Sequence, residues 1–405
     1  MKLPRVLMLP KWYPNRYDDQ DGDFVARHVA AIAPHAQVAV LFAAVARGPL
    51  PRWTDCEADL TGPVPTLRYY YRARPTGVGP LDKVLKLLLY FWCLSKGYRR
   101  LVQHWGGPPQ LTHVHVLLRT GLFARWLQLT QGIPYLITEH WTLYLPERAA
   151  GIGWLRRTLT RQVVRRAAAL HTVSAGLRDA MHRLGFRNER SAVIANVVDT
   201  ELFAPGAAPR VPGQLLHVAA FHDAVKNLSG VLQVVAELRP QWPRLRLRVA
   251  GYGPDEAALH QLAADLGLLA DGTVTFLGKL PHAAVAREMQ QAAALVSFSR
   301  SETFGCVLLE ARATGCPVVG PATGGVPELF RPEGSFGLLV APDDEAALTQ
   351  ALTAVLAGTV RFDPATLRTD AQARCSYARV GQQFAALYAA ILTGPAAASG
   401  ISAAS

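Results

Sequence analysis

Short runs of apolar, often β-branched residues alternate along this chain with longer stretches whose apolar positions recur every three or four residues. The runs Val6–Leu9, Gln37–Phe42, Thr66–Tyr71, Thr112–Val116, Tyr135–Thr138, Ala169–Val173 and Ser191–Ala195 predict strands in the first half. In the second half Gln214–Ala219, Arg246–Ala250, Thr273–Leu277, Ala294–Phe298 and Pro317–Val319 do the same. Helical periodicity fills most of the gaps, for example Phe24–Ala33, Ser229–Leu238 and Asp255–Leu266. Such alternation implies parallel sheets covered by helices on both faces, an α/β fold, and the length allows two of them. The pattern breaks at PGAAPRVPG, residues 205–213, where three prolines and two glycines stand between two predicted strands. The break predicts a first domain over 1–205 and a second over 206–376. Residues 377–392 carry a further apolar helical pattern, and the small, polar stretch from 393 to 405 predicts a disordered tail.

Composition narrows this picture. Of the 405 residues 50% are hydrophobic, so both domains can bury a core. The formal charge of +12 sits in the first half, with the second near neutrality, which points to an anionic partner for the first domain. Nucleic acid, a phosphorylated substrate and an acidic membrane surface all fit the charge, but nothing resembling a nucleic-acid motif accompanies it. The five cysteines are widely spaced and odd in number, and read as reduced thiols of the cytoplasm. The opening MKLPRVLMLPKWYP is too short between its prolines for a signal-peptide core. The longest apolar run, residues 84–94, contains Lys86 and falls well short of a membrane span.

Ligands of open parallel sheets bind beyond the carboxyl ends of the strands, so candidate chemistry is sought there, in a cleft between two facing Rossmann-like domains. After the strand at 214–219 come Lys226 and Asn227 at a helix start, a place that favours an anion. After 246–250 comes GYGP, whose Gly251 and Gly253 allow close backbone approach. After 294–298 comes SRSETFG, with Glu302, Phe304 and Gly305 leading into a helix that carries Glu310. After 317–319 comes PATGGVPEL, whose Gly324 and Gly325 predict another helix with Pro327 and Glu328 in its first turn. Each loop taken alone also reads as plain capping. Together they suit a nucleotide diphosphate lying across Lys226 and free helix N–H groups, with the two acids accepting hydrogen bonds from sugar hydroxyls.

These residues resemble the retaining nucleotide-sugar glycosyltransferases of family 4, which have the GT-B fold. The resemblance rests on Glu302 and Glu310 with seven residues between them, the Phe304-Gly305 pair and GGVPE at 324–328. It extends to GDFVARHVA at 22–30, THVHV at 112–116, ITEHW at 137–141, HTVSAGLRD at 171–179 and VIANVVDTELFAP at 193–205. What it implies is a donor site in which the acid at Glu310 binds ribose hydroxyls, the acid at Glu302 touches the donor sugar, and Lys226 binds the diphosphate. His140 would lie beside the transferred sugar, the loop at Gly22 would approach the diphosphate from the other domain, and the helix at 377–392 would cross back to the first domain. One departure stands out: the family often has an arginine shortly before the lysine, and Ala219–Ala224 has none, which leaves His222 as a substitute or the task to Lys226 and backbone.

The mechanism so implied stabilises charge on the departing diphosphate with Lys226 and helix N-termini, and delivers the acceptor hydroxyl to the face the leaving group vacates. No cofactor or metal is expected; the acidic run at 18–23 reads as a solvated loop. Arg156, Arg157, Arg161, Arg165 and Arg166 form a basic helical face, and residues 83–100 join an apolar body to basic ends. The two read equally as a membrane-docking surface for a lipid-linked or cell-envelope acceptor and as a solvated face beside a core helix. A nucleotide-sugar epimerase and a two-lobed sugar-binding protein share the two-domain shape and remain alternatives. The base, the sugar and the acceptor are not encoded in any motif. Glu310→Ala is expected to weaken donor binding, whereas Glu302→Ala and His140→Ala mainly lower turnover; unchanged transfer in all three variants would remove the site assignment.

Overall fold

The computed structural model describes residues 3–394, so nearly all of the tail expected from residue 393 lies outside the described residues. The chain divides into two compact units, one of Met1–Val173, Arg178–Ile194 and Val380–Ser405, the other of Ser174–Leu177 and Ala195–Arg379. The division precedes the proline-rich break, and most of the helix Tyr377–Leu392 counts with the first unit.

The first unit is built on strands β1 (Arg5–Pro10), β2 (Gln37–Val45), β3 (Thr54–Asp59), β4 (Thr66–Tyr71), β5 (Leu111–His115), β6 (Tyr135–Glu139), β7 (Ala169–Thr172) and β8 (Ser191–Val193). They form one sheet in the order β3-β4-β2-β1-β5-β6-β7-β8. Every pairing is parallel except β3 with β4. Strands β5, β6 and β7 are buried along their whole length, as expected of parallel strands covered on both faces. The second unit carries β9 (Val211–Val218), β10 (Arg246–Ala250), β11 (Val274–Gly278), β12 (Ala292–Val296), β13 (Val318–Pro321) and β14 (Leu338–Val340), in the order β11-β10-β9-β12-β13-β14 and parallel throughout. Strands β3 and β14 have no counterpart in the sequence reading. The helix expected after Gly324 and Gly325 is a single short 3-10 segment, Val326–Phe330.

Strand order locates the sites. Chain direction along the first sheet reverses between β1 and β5, and along the second between β9 and β12. At such a reversal the two following loops diverge and leave a crevice beyond the strand ends.

The final helix joins the first sheet through an ordered chain of buried hydrogen bonds. Tyr388 Oη lies 2.7 Å from His113 Nδ1, His113 Nε2 2.6 Å from Thr138 Oγ1, Thr138 Oγ1 2.8 Å from His171 Nδ1, and His171 Nε2 2.9 Å from the carbonyl of Ile194. A carbonyl can only accept, so His171 donates from Nε2, and with both imidazoles neutral Thr138 donates to His171, His113 to Thr138 and Tyr388 to His113. Burial agrees, holding His171 down to about 4 and His113 well below its ordinary value. In the second unit His217, whose Nδ1 is 3.0 Å from the carbonyl of Val296, is likewise held down by burial to about 4.

These depressed values set an acid limit. An unfolded histidine gains its proton near pH ~6.5. The unfolded chain thus binds more protons than the native one between that value and about 4. Stability is full above the unfolded value and falls with pH by about 1.4 kcal/mol per unit for each such histidine. Urea midpoints are expected to drop for both units between about pH 7 and about pH 5, and midpoints that stay level would show these imidazoles to be exposed or already charged.

Candidate functional site

In the second unit the loops after β9 and β12 meet at the reversal of strand order. Strand β9 runs into the four-residue helix Asp223–Lys226, and Asn227, in a left-handed conformation with φ of 50°, caps the helix Leu228–Leu238 by accepting from Gly230 N. Asp223 steadies this turn by accepting from Ser229 N at 2.9 Å and from its hydroxyl at 2.6 Å. Lys226 Nζ reaches across to Glu302 Oε2 at 2.6 Å, so the two residues singled out for diphosphate and sugar form an ion pair with each other. Glu302 also accepts from Thr303 N at 3.2 Å.

The glycines fix where this pair stands. A Cβ on Gly251 would come within 1.9 Å of the carbonyl of Ala219, and one on Gly253 within 2.6 Å of that of Phe221. A Cβ on Gly324, whose φ is +57°, would come within 1.7 Å of the carbonyl of Glu302, and one on Gly325 within 2.3 Å of that of Thr303. Gly305, with φ of 90°, caps the helix Cys306–Ala313. Phe304 packs into the core, and Glu310 is buried two turns or less along that helix. Its neighbours Leu308, Leu309 and Ala311 are buried too, so the acid is held in an apolar helix.

Arg300, in the loop that continues into Glu302, was not singled out by sequence. Its guanidinium donates to Asp343 Oδ1 at 2.6 Å, to the carbonyl of Asp223 at 2.9 Å and to Asn227 Oδ1 at 2.9 Å. It braces the β9 loop against the loop after β14. The side chain of Asn227 is thereby committed to the turn, and His222 is exposed just ahead of the short helix. Glu328, in the GGVPE segment, accepts from the amides of Ala175 at 2.9 Å and Gly176 at 2.6 Å.

In the first unit Gly22, with φ of 65°, caps the helix Asp23–Ile32, and a Cβ there would come within 2.4 Å of the backbone of Trp12. That helix presents His28 to His115, at the end of β5, and to His140, just beyond β6. Ring nitrogens of the three buried imidazoles lie within 4.8 Å of one another, and His115 Nδ1 is 3.3 Å from His140 Nε2. Among the described residues this trio alone brings three metal-ligating side chains that close together.

Beside His140, Glu139 is fully buried and accepts from His140 N and Trp141 N at 2.9 Å and from Leu117 N at 3.0 Å. The last bond needs the unusual backbone of Val116, a β-branched residue at φ 65°. Burial pushes the Glu139 carboxyl up to about 7 against those three amides and Lys11. Burial likewise lowers Lys11 to about 8, against the attraction of Glu139 and with Arg156 and Arg119 adding to the drop. The Lys11 ammonium lies 3.2 Å from the centre of the Trp141 ring. A pocket of about 510 Å³ opens here at the carboxyl ends of β1, β2, β4, β5 and β6, lined among others by Lys11, Trp12, Tyr71, Arg119, Trp141 and Arg156.

The basic helix therefore splits. Arg156 lines the pocket over Trp141, at 4.9 Å, whereas Arg157, Arg161, Arg165 and Arg166 are exposed. The signal for Lys11, Trp12 and Arg119 was available: each lies within three residues of a predicted strand end, where ligands of parallel sheets bind.

Two largely parallel α/β sheets, each with a reversal of strand order, fit the GT-B class of α/β proteins. Residues 23–197 match the glycosyl transferase 4-like domain and residues 212–358 the glycosyl transferases group 1 domain. The chain is 30% identical over 311 residues to D-inositol 3-phosphate glycosyltransferase of Frankia alni, covering 70% of this chain and 75% of that one. It is 32% identical over 276 residues to glycogen synthase of Mycobacterium tuberculosis, covering 65% of this chain and 63% of the relative, so it spans less than two thirds of that enzyme's length. Among solved structures it superposes on sucrose-phosphate synthase of Thermosynechococcus elongatus with a TM-score of 0.73 at 22% identity, covering 95% and 98% of the two chains. On HepE of Anabaena, in complex with UDP, the TM-score is 0.72 at 18% identity, covering 96% and 100%. The chain belongs to the family 4 glycosyltransferases of GT-B fold, which sets aside the epimerase and sugar-binding-protein readings.

The contact at Gly324 carries a test. Gly272 also has a positive φ, +70°, but nothing within 4 Å of a would-be Cβ. Gly272→Ala should cost only the left-handed penalty of about 1–2 kcal/mol, and Gly324→Ala at least ~2 kcal/mol more, because the Glu302 backbone has to move. Equal losses in urea unfolding would mean that the two loops are not pressed together.

Proposed function

We propose that this chain is a retaining, metal-independent glycosyltransferase that moves a sugar from a nucleoside diphosphate sugar to a hydroxyl acceptor. The observation that carries the reading is the Lys226–Glu302 pair at the reversal of the second sheet, close in sequence to the N-terminus of the helix Cys306–Ala313. In this reading the incoming diphosphate takes Lys226 away from Glu302, which is then free to accept a hydroxyl of the donor sugar. Lys226 and the helix amides hold the negative charge that grows on the leaving phosphate. That positive end of the helix and the lysine supply the electrostatic assistance for which other transferases use a divalent ion. Glu310 accepts from ribose hydroxyls, and His140 serves the transferred sugar. The acceptor proton passes to the leaving phosphate on the face it vacates, giving retention. The HepE structures contain UDP and UDP-glucose, which makes uridine donors the first to try.

The acceptor reading includes contact with an anionic membrane. On the helix Gly79–Trp105, Leu81, Val84, Leu88 and Trp92 are exposed at helical spacing beside Lys83 and Lys96, while Tyr90, Cys93 and Leu94 are buried. The helix is thus part core and part amphipathic surface, with a charge that suits acidic lipid headgroups. Among the described residues no helix is long and apolar enough to cross a membrane.

A thermal-shift series with UDP, GDP, ADP and their sugar conjugates tests the donor site. One base should stabilise the protein, by roughly 2.7 kcal/mol at a hundredfold excess over Kd, and Lys226→Ala should abolish the gain. No shift with any nucleotide would remove the proposal.

A further inference from the structure

The pocket of the first unit has a chemical character that the transferase reading does not by itself specify. Three cationic side chains line it, Lys11, Arg119 and Arg156, against one carboxylate, Asp21. Asp21 is engaged by Asn15 Nδ2 at 3.0 Å, and burial favours its neutral form. The three cations are held chiefly by aromatic faces. Lys11 sits against the Trp141 and Trp12 rings, at 3.2 and 4.6 Å, Arg156 over Trp141 at 4.9 Å, and Arg119 over Tyr90 at 5.9 Å with a bond of 3.5 Å to the Tyr71 hydroxyl. An aromatic face orients a cation without neutralising it. Glu139 accepts from three backbone amides, and its charge still acts on Lys11. Lys11, Arg119 and Arg156 thus outnumber Asp21 and the buried Glu139; burial is the main cause of the lowering of Lys11, Glu139 opposes it, and Arg156 and Arg119 add to it. Converging guanidinium and ammonium groups of this kind suit the several oxygens of a phosphate. The two indoles beside them, Trp12 and Trp141, stand edge to face with centroids 5.5 Å apart and offer apolar surface to a ring.

We propose that this pocket binds the acceptor and that the acceptor carries a phosphate group attached to a sugar or cyclic polyol. A volume of about 510 Å³ is room for one such phosphorylated ring. The assignment of the ligand as acceptor rests on the transferase reading; the binding of the phosphate does not. A free phosphorylated sugar and a phosphorylated lipid headgroup present the same chemistry to Lys11, Arg119 and Arg156.

The test is direct binding without donor. Isothermal titration compares glucose 1-phosphate and inositol phosphate with glucose and inositol, and flotation compares phosphatidylcholine vesicles with vesicles that also contain a phosphorylated inositol lipid. The phosphorylated rings should bind at least ~10-fold more tightly than the uncharged ones. Arg156→Gln should remove that preference, and Arg125→Gln, on the helix Arg119–Gln131 with its guanidinium bonded to Gln128, should keep it. Soluble phosphates that bind while vesicles do not identify a free acceptor; vesicles bound through Arg156 identify a lipid headgroup. Equal affinity for charged and uncharged rings, no binding of either, or a preference that survives Arg156→Gln overturns the proposal. Nucleotide stabilisation without phosphate binding sinks the pocket proposal alone. Phosphate binding without any nucleotide stabilisation leaves the pocket standing and sinks the transferase reading.

Discussion

Four loops at the carboxyl ends of the second sheet are pressed backbone to backbone, and the chemistry of that unit depends on the contact. Gly251 and Gly253 bring the β10 loop onto the β9 loop at Ala219 and Phe221, and Gly324 and Gly325 bring the β13 loop onto Glu302 and Thr303. Side chains would hold these loops apart by the width of a methyl group, and Lys226 and Glu302 need their present separation of 2.6 Å. Arg300 completes the arrangement by tying the β9 turn to Asp343. The glycines thus do more than permit turns: they place two charged side chains from different strands in one crevice.

The first unit solves a different problem, that of burying many polar rings. His113, Thr138, His171 and Tyr388 form a chain in which each hydrogen has one place to go, ending on a carbonyl. A partly satisfied network would cost more than an apolar core, and a fully satisfied one fixes the register of the elements that contribute to it. Here it joins the final helix to β5, β6 and β7. A short distance away the polar groups are left charged, with the cations around the pocket resting on rings.

Much of this was legible in the chain. Alternating period gave the α/β class, because parallel strands buried on both faces read as continuous apolar runs, as β5 to β7 do. The family resemblance pointed to His140, Lys226 and Glu302 in the segments that follow β6, β9 and β12, and to Glu310 on the helix after β12. Asn227 was legible as a helix start, though its side chain is used for capping. What escaped was of two kinds. Interactions that depend on three-dimensional neighbours, such as Arg300 with Asp343 or Lys11 with Trp141, have no sequence period to betray them. Short or polar strands escaped for the opposite reason: β14 has three residues, and β3, TDCEAD, reads as a loop because half its residues are carboxylates.

Those carboxylates have a consequence of their own. Strand β3 is an outer strand of the first sheet, antiparallel to β4, with no strand on its far side among the described residues. Asp55, Glu57 and Asp59 line it, the first two also bonded to Arg16. At the other margin β8 is only three residues long. A sheet whose two borders are respectively charged and abbreviated gives a newly made or partly opened copy of the chain little to zip onto. The protein therefore carries within its sheet margins a defence against self-assembly into β-aggregates, independent of anything it binds.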